Sequence, residues 1–166
     1  MDFYQGVVVD YLRADRAIFV NTECCIQINP APNPDTSGPH WYCDVVACDF
    51  RNQTIFLCEI SYSETLAALV KRLKEWHANW LDVCSALKRD CHLPGSWPVR
   101  TWLFVPCQRT GTLVRRLEEI EEAHAEPRLR PRITPLEMVQ PWLYRSWDHQ
   151  ERAEEKPEKI PPAMRI

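Results

Sequence analysis

The sequence predicts an α/β fold, built from interleaved strands and helices. Three observations predict it. Residues 16–28 and 55–60 show the alternation or the short apolar run of buried strands. Residues 63–87 and 110–122 carry apolar side chains at helical spacing. The two kinds of segment succeed one another along the chain instead of separating into halves.

The elements follow in order. Phe3 to Arg13 carries Phe3, Val7, Val8, Tyr11 and Leu12 on a helical stripe, although Val7-Val8-Val9 is also good strand material. Arg16 to Ile28 alternates, with Ile18, Val20, Cys24, Ile26 and Ile28 on one side and Asn21, Glu23 and Gln27 on the other. Asn29 to Pro39 holds four prolines with Asn, Asp, Ser and Gly, and is a loop. Tyr42 to Tyr62 reads as a hairpin around the polar turn Arg51-Asn52-Gln53-Thr54.

Ser63 is placed to cap the longest helix, whose core face is Leu66, Leu69, Val70, Leu73, Trp76, Trp80, Cys84 and Leu87. That face spans about six turns, and Pro94-Gly95 stops it. Val99 to Val105 is a strand ended by Pro106. Thr110 to Glu122 is a second amphipathic helix, with Leu113, Leu117 and Ile120 inward. Ile133 to Val139 is read as a final short strand. From Asp148 the chain is charged and proline-rich and is expected to be disordered. The organisation is one domain over residues 1–147 and a tail over 148–166.

At 166 residues, 45% hydrophobic and 26% charged, the chain is long enough for one domain with a sizeable core. A net charge of −3 and a pI near 6.0 exclude a bulk polyanion binder, so nucleic-acid contact would need local basic patches. No apolar run approaches a membrane span and Met1-Asp2-Phe3 does not begin a signal peptide, so a cytoplasmic protein is expected. The eight cysteines, at 24, 25, 43, 48, 58, 84, 91 and 107, contain no Cys-x-x-Cys pair. They read as reduced cysteines, several of them in the core.

The chemistry concentrates in Tyr42 to Tyr62. Glu59 interrupts a run that is otherwise apolar from Ile55 to Ile60. A carboxylate there loses solvation unless a cation compensates it. With Asn52-Gln53 as a two-residue loop, Val46 lies opposite Glu59 and Asp44 opposite Ser61. Asp44 and Glu59 are then diagonal neighbours on one face, close enough to share a metal ion.

This segment resembles the PD-(D/E)XK nuclease superfamily, where an Asp on one strand is followed, after a turn, by Glu-x-Lys on the next. Asp44 matches the first acid and Glu59-Ile60-Ser61 stands where Glu-x-Lys would be, with Cys43 replacing proline and Ser61 replacing lysine. The resemblance covers roughly residues 3–122, including the order helix, three strands, long helix, strand, helix. It implies the restriction-endonuclease-like fold, a three-layer core with a central mixed sheet flanked by helices. It also implies Mg²⁺ or Mn²⁺ held by Asp44 and Glu59, and a nucleic-acid partner, DNA in the first instance.

In the family the lysine orients the attacking water and adds positive charge. Serine supplies a hydrogen bond but no charge. Arg72 and Lys74, flanking the apolar stripe of the following helix, are the candidates to replace it, against Lys71 on the far side. Asp10, on the first helix, stands where many family members place a further acid. Glu23, on the polar side of the first strand, is a weaker metal candidate, and Asp49 reads as a turn-forming residue. Basic residues also cluster at Lys88-Arg89, at Arg115-Arg116 and at Arg128, Arg130 and Arg132, which alternate with Leu129 and Pro131. Trp41, Trp97, Trp142 and Trp147 would stack on bases if exposed. Two functions follow. One is a metal-dependent DNA endonuclease, and the other a catalytically inactive nuclease-fold module that binds nucleic acid or a protein partner, including a second copy of itself.

Overall fold

The computed structural model describes residues 2–29, 39–122, 128, 129 and 131–144. Arg130, Trp147, the tail and all but the ends of the proline-rich loop lie outside the described residues. The elements are α1 (Phe3–Arg13), β1 (Ile18–Gln27), β2 (His40–Asp49), β3 (Thr54–Ile60), α2 (Ala67–Ala78), α3 (Trp80–Asp90), β4 (Val99–Val105), α4 (Cys107–Glu121) and β5 (Arg132–Pro135). A single 3-10 turn, Leu136–Val139, follows.

The five strands form one mixed sheet in the order β1-β2-β3-β4-β5. β1, β2 and β3 are an antiparallel meander, and β3, β4 and β5 run parallel. Parallel neighbours need crossover helices. Both crossovers, α2–α3 and α4, cover one face, where Leu73, Trp76, Val83, Leu87 and Leu113 meet Ile55, Leu57, Leu103 and Val105. On the other face α1 and the 3-10 turn bring Val8, Leu12, Leu136 and Val139 against Val45, Phe56, Trp102 and Phe104. Helices on both faces explain why β3 and β4 read as continuous apolar runs. The α/β class, with a mixed sheet between helical layers, is as the sequence predicts.

Several elements differ from expectation. The single long helix is two helices, broken at Asn79 (φ −114°, ψ 26°). The Asn79 side-chain amide donates to the Glu75 carbonyl, and its backbone N–H is shared between the carbonyls of Glu75 and Trp76. Asparagine thus competes locally with the helical ladder. Trp76 and Trp80, on either side of the break, both reach the core. Ser63 is not the cap, because α2 starts after Leu66, a buried residue in the left-handed region (φ 54°). At the other end α3 stops at Asp90, ahead of Pro94-Gly95.

α1 buries Gln5, Val8, Val9 and Leu12, while Phe3 is exposed. Its cap is Asp2, whose carboxylate accepts the Gln5 N–H at 2.8 Å. Of the final strand only residues 132–135 pair, and the chain then turns into Leu136–Val139.

β1 does not keep one face. Ile18 and Val20 pack on the α1 side, whereas Cys24 and Ile26 join the opposite core. Glu23, at φ 54°, lies between the pairs Thr22↔Val45 and Cys24↔Cys43 and reverses the alternation. β2 reverses at the same level, with Cys43 in one core and Val45 in the other. β1 and β2 therefore exchange faces together at the Glu23–Asp44 level.

Candidate metal centre at the open end of the hairpin

The hairpin turn fixes where the acids meet. Asp49 pairs with Thr54, which leaves four residues, Phe50 to Gln53, in the loop instead of two. The Asp49 carboxylate accepts the Asn52 backbone N–H at 3.0 Å and its side-chain amide at 2.7 Å, and Gln53 takes a left-handed φ of 51°. The longer loop shifts the register by two residues, so Val46 faces Leu57. Continued by one rung, the same register sets Asp44 level with Glu59. The two acids are direct cross-strand neighbours, not diagonal ones.

The β2–β3 ladder ends at Val45↔Cys58. Past it the Asp44 carboxylate takes the Ile60 N–H at 2.8 Å, and the Cys43 thiol donates to the Val45 and Cys58 carbonyls at 3.2 and 3.4 Å. Side chains thus replace main chain at this end of the hairpin. From the α1 side Gln5, itself buried, donates to the Asp44 carbonyl at 2.9 Å. Gln5 was not among the sequence candidates. Its signal was available, since Asp2 and Gln5 stand at capping-box spacing ahead of the Val8–Leu12 stripe.

Glu59 is 3% exposed, next to Leu103 of β4. Arg72 of α2 reaches it and forms a short ion pair with Oε2. Oε1 is buried and has no hydrogen-bond partner among the described residues. Burial first, and the Asp44 charge second, push Glu59 up to about 8 against the pull of Arg72 and of the Asp44 backbone N–H. Asp44 is also raised, by burial first, against the Ile60 N–H and Arg72, with Asp2 and Glu23 adding like charge. A pair of acids held above their usual range wants protons or a cation.

The other predicted residues divide. Arg72 joins the site, whereas Lys74 is exposed and Lys71 pairs with Glu75 at 3.9 Å. Ser61 sits half-exposed beyond the end of β3, its backbone N–H on the Phe104 carbonyl at 2.9 Å. Glu23 is exposed where the strands exchange faces, level with Asp44 and near enough to raise it. Asp10 is exposed on α1, and the α1 acid whose charge reaches Asp44 is Asp2 instead. Among the described residues no group of three or more His, Cys, Asp and Glu gathers to hold a metal. Any ion here would rest on Asp44 and Glu59.

Comparison with protein-family models and with curated proteins finds no match. No described helix is long and apolar enough to cross a membrane.

Away from this end, most basic candidates have structural work. Arg89 donates to the Gln27 and Ile28 carbonyls, Lys88 to Gly95, and Arg128 to His77, while Arg116 pairs with Glu119. Trp41 donates to Glu75 at 2.8 Å, and Trp142 is exposed. All eight cysteines are free thiols, and the Cys24 and Cys91 sulfurs lie 3.8 Å apart.

Proposed function

We propose that this chain is a divalent-metal-dependent nuclease acting on DNA, with Asp44 and Glu59 as ligands for Mg²⁺ or Mn²⁺ and Arg72 in place of the motif lysine. The observation that carries the reading is the buried Glu59 Oε1, an acceptor without a donor, beside a second carboxylate. Two hard oxygen donors suit Mg²⁺, which commonly takes one or two carboxylates and keeps several waters. The helix, antiparallel meander, crossover helices and parallel strand also run in the order of the restriction-endonuclease-like fold.

Bound there, the ion would supply Lewis acidity to phosphate oxygens and a lowered pKa for a coordinated water. The chain's own groups do the rest. Asp44 is oriented through its bond from Ile60 and through Gln5, and Leu103 and the surrounding core keep bulk water from Glu59. Arg72, one-third exposed, offers a fixed positive charge that a phosphate approaching from solvent can meet. Ser61 contributes a hydroxyl at the mouth.

The second reading is a catalytically inactive module on the same fold. It is favoured by the Arg72–Glu59 ion pair, which compensates one Glu59 oxygen from within the chain. Thermal melts and cleavage assays separate the two. Under the nuclease reading Mg²⁺ or Mn²⁺ raises the melting temperature through preferential binding to the native state. Asp44→Asn with Glu59→Gln removes that rise along with cleavage of supercoiled, single-stranded or branched DNA. A melting temperature indifferent to metal, and no cleavage of any form by the wild type, would leave the module.

A further inference from the structure

A second, separate cleft lies at the turn end of the hairpin, on the α1 side of the sheet. It has a volume of about 580 Å³ and runs from the end of α1 past the hairpin turn to β4 and β5. That is within the usual size of small-molecule sites. Three arginines line it (Arg16, Arg51 and Arg132) along with two acids, Asp15 and Asp49.

The acids are already engaged. Asp15 accepts both Arg51 nitrogens at 2.9 Å and the Ala17 N–H at 3.0 Å. Asp49 is occupied by Asn52. Arg16 and Arg132 have no carboxylate partner among the described residues. Arg132 is instead held over Trp102, its guanidinium carbon 3.8 Å from the ring centroid. Asp49 keeps its negative charge and the C-terminal end of α1 borders the cleft with a partial charge of about −0.5, so Arg16 and Arg132 leave the cleft only slightly positive. The remaining wall is aromatic, Tyr11 against Tyr144 and Trp102 at ring-centroid distances of 5.2 and 6.3 Å.

Guanidinium groups without an ion-pair partner among the described residues, beside aromatic rings, match the two halves of one ligand chemistry. The planar forks suit phosphate oxygens, and aromatic and guanidinium surfaces suit a planar base. A bare phosphate would leave most of the cleft empty. We propose that this cleft binds a single nucleotide, with its phosphate on Arg16 and Arg132 and its base toward the Tyr11–Tyr144 wall. It is distinct from the Asp44–Glu59 centre, and its occupancy does not depend on that centre being catalytic.

The test is calorimetric titration of the whole protein, without metal, with AMP, dTMP, inorganic phosphate and a short single-stranded oligothymidylate. A mononucleotide should bind more tightly than phosphate, and Arg16→Ala should weaken it about tenfold. Arg16 is exposed, so that variant keeps its fold, and Arg132→Gln should act in the same direction. Asp44→Asn with Glu59→Gln should leave binding unchanged, which separates this site from the metal centre. Equal affinity for AMP and the oligonucleotide assigns a free nucleotide. Much tighter oligonucleotide binding, equally lost in Arg16→Ala, assigns one nucleotide of a strand. The proposal is overturned if neither nucleotide form binds at about 1 mM, if phosphate binds as well as AMP, or if Arg16→Ala changes nothing.

Discussion

Asp49 and Glu59 belong to the two strands of one hairpin, are 6% and 3% exposed, and are pushed in opposite directions. Burial raises both. At the turn end the Asn52 amide, two backbone N–H groups and the Arg51 charge overcome it, and Asp49 is held below its ordinary value. At the open end Glu59 has Arg72 on one oxygen, only the Asp44 backbone N–H besides, and a second acid beside it, and it rises. Glu59 is packed more deeply than Asp49, so depth and the shortage of donors act together. A carboxylate surrounded by N–H groups builds a turn, whereas one short of donors is left with capacity for a proton or an ion.

The largest expected effect comes from removing Arg72 at the open end. At about pH 9, where Glu59 is ionised, Arg72→Ala should destabilise the metal-free protein by about 3 kcal/mol, because a charged acid is left buried without its partner. Chemical denaturation reads this directly. A loss near zero would mean that the pair is a solvated contact and that Glu59 is already neutral.

The next effect is a pH dependence of opposite sign at the two ends. Glu59 has a folded value, about 8, above its unfolded value of 4.5. Its contribution is therefore intact below the unfolded value and is lost as pH rises through the folded one. Metal-free wild type should lose about 2 kcal/mol between about pH 5 and about pH 8, a fraction of the full shift at about 1.4 kcal/mol per unit, since Asp44 and Arg72 share the titration. Glu59→Gln, which keeps an oxygen for Arg72, should flatten that slope. A slope equally steep in the variant would place the titration elsewhere.

Much of this was legible in the sequence. The alternation of 55–60 and the Leu113, Leu117 and Ile120 stripe follow from apolar period alone, and Glu59 stood out as a charge inside an apolar run. The register did not follow, because a two-residue and a four-residue loop both fit Arg51-Asn52-Gln53-Thr54. Only the Asp49–Asn52 bonds and the left-handed Gln53 choose between them. Glu23 gave no sign that it would turn β1 over, since a positive φ is a backbone property that glutamate does not advertise. Arg72 was one of two flanking cations. Its contact with Glu59 depends on where α2 begins, and that is set by Leu66 instead of Ser63.

A smaller effect belongs to the turn end. Asp49→Ala should cost about 1 kcal/mol near neutral pH, through the loss of the Asn52 bonds. Asp49 is lowered in the fold, so its contribution is present above the unfolded value of 3.8 and fades as pH falls. Melts at neutral pH and at about pH 3 should show the gap between variant and wild type closing. A gap that persists in acid would assign the cost to packing instead of charge.

The smallest expected change is the one the motif alone would make largest. Ser61 stands where the family's lysine would be, and in a site lacking any cation Ser61→Lys should raise cleavage about a hundredfold. Arg72 already pairs with Glu59 from the helix side, so a second positive charge would crowd the first and add little. Cleavage by Ser61→Lys is therefore expected within about threefold of wild type, while Arg72→Ala loses most of it. The double variant, Arg72→Ala with Ser61→Lys, carries the decision. Recovery of activity there would mean that the charge can be delivered from either β3 or α2, and that this hairpin has moved its cation from strand to helix. Failure to recover, in a protein whose metal-dependent melting shift survives, would mean that Arg72 serves Glu59 alone and never meets the phosphate.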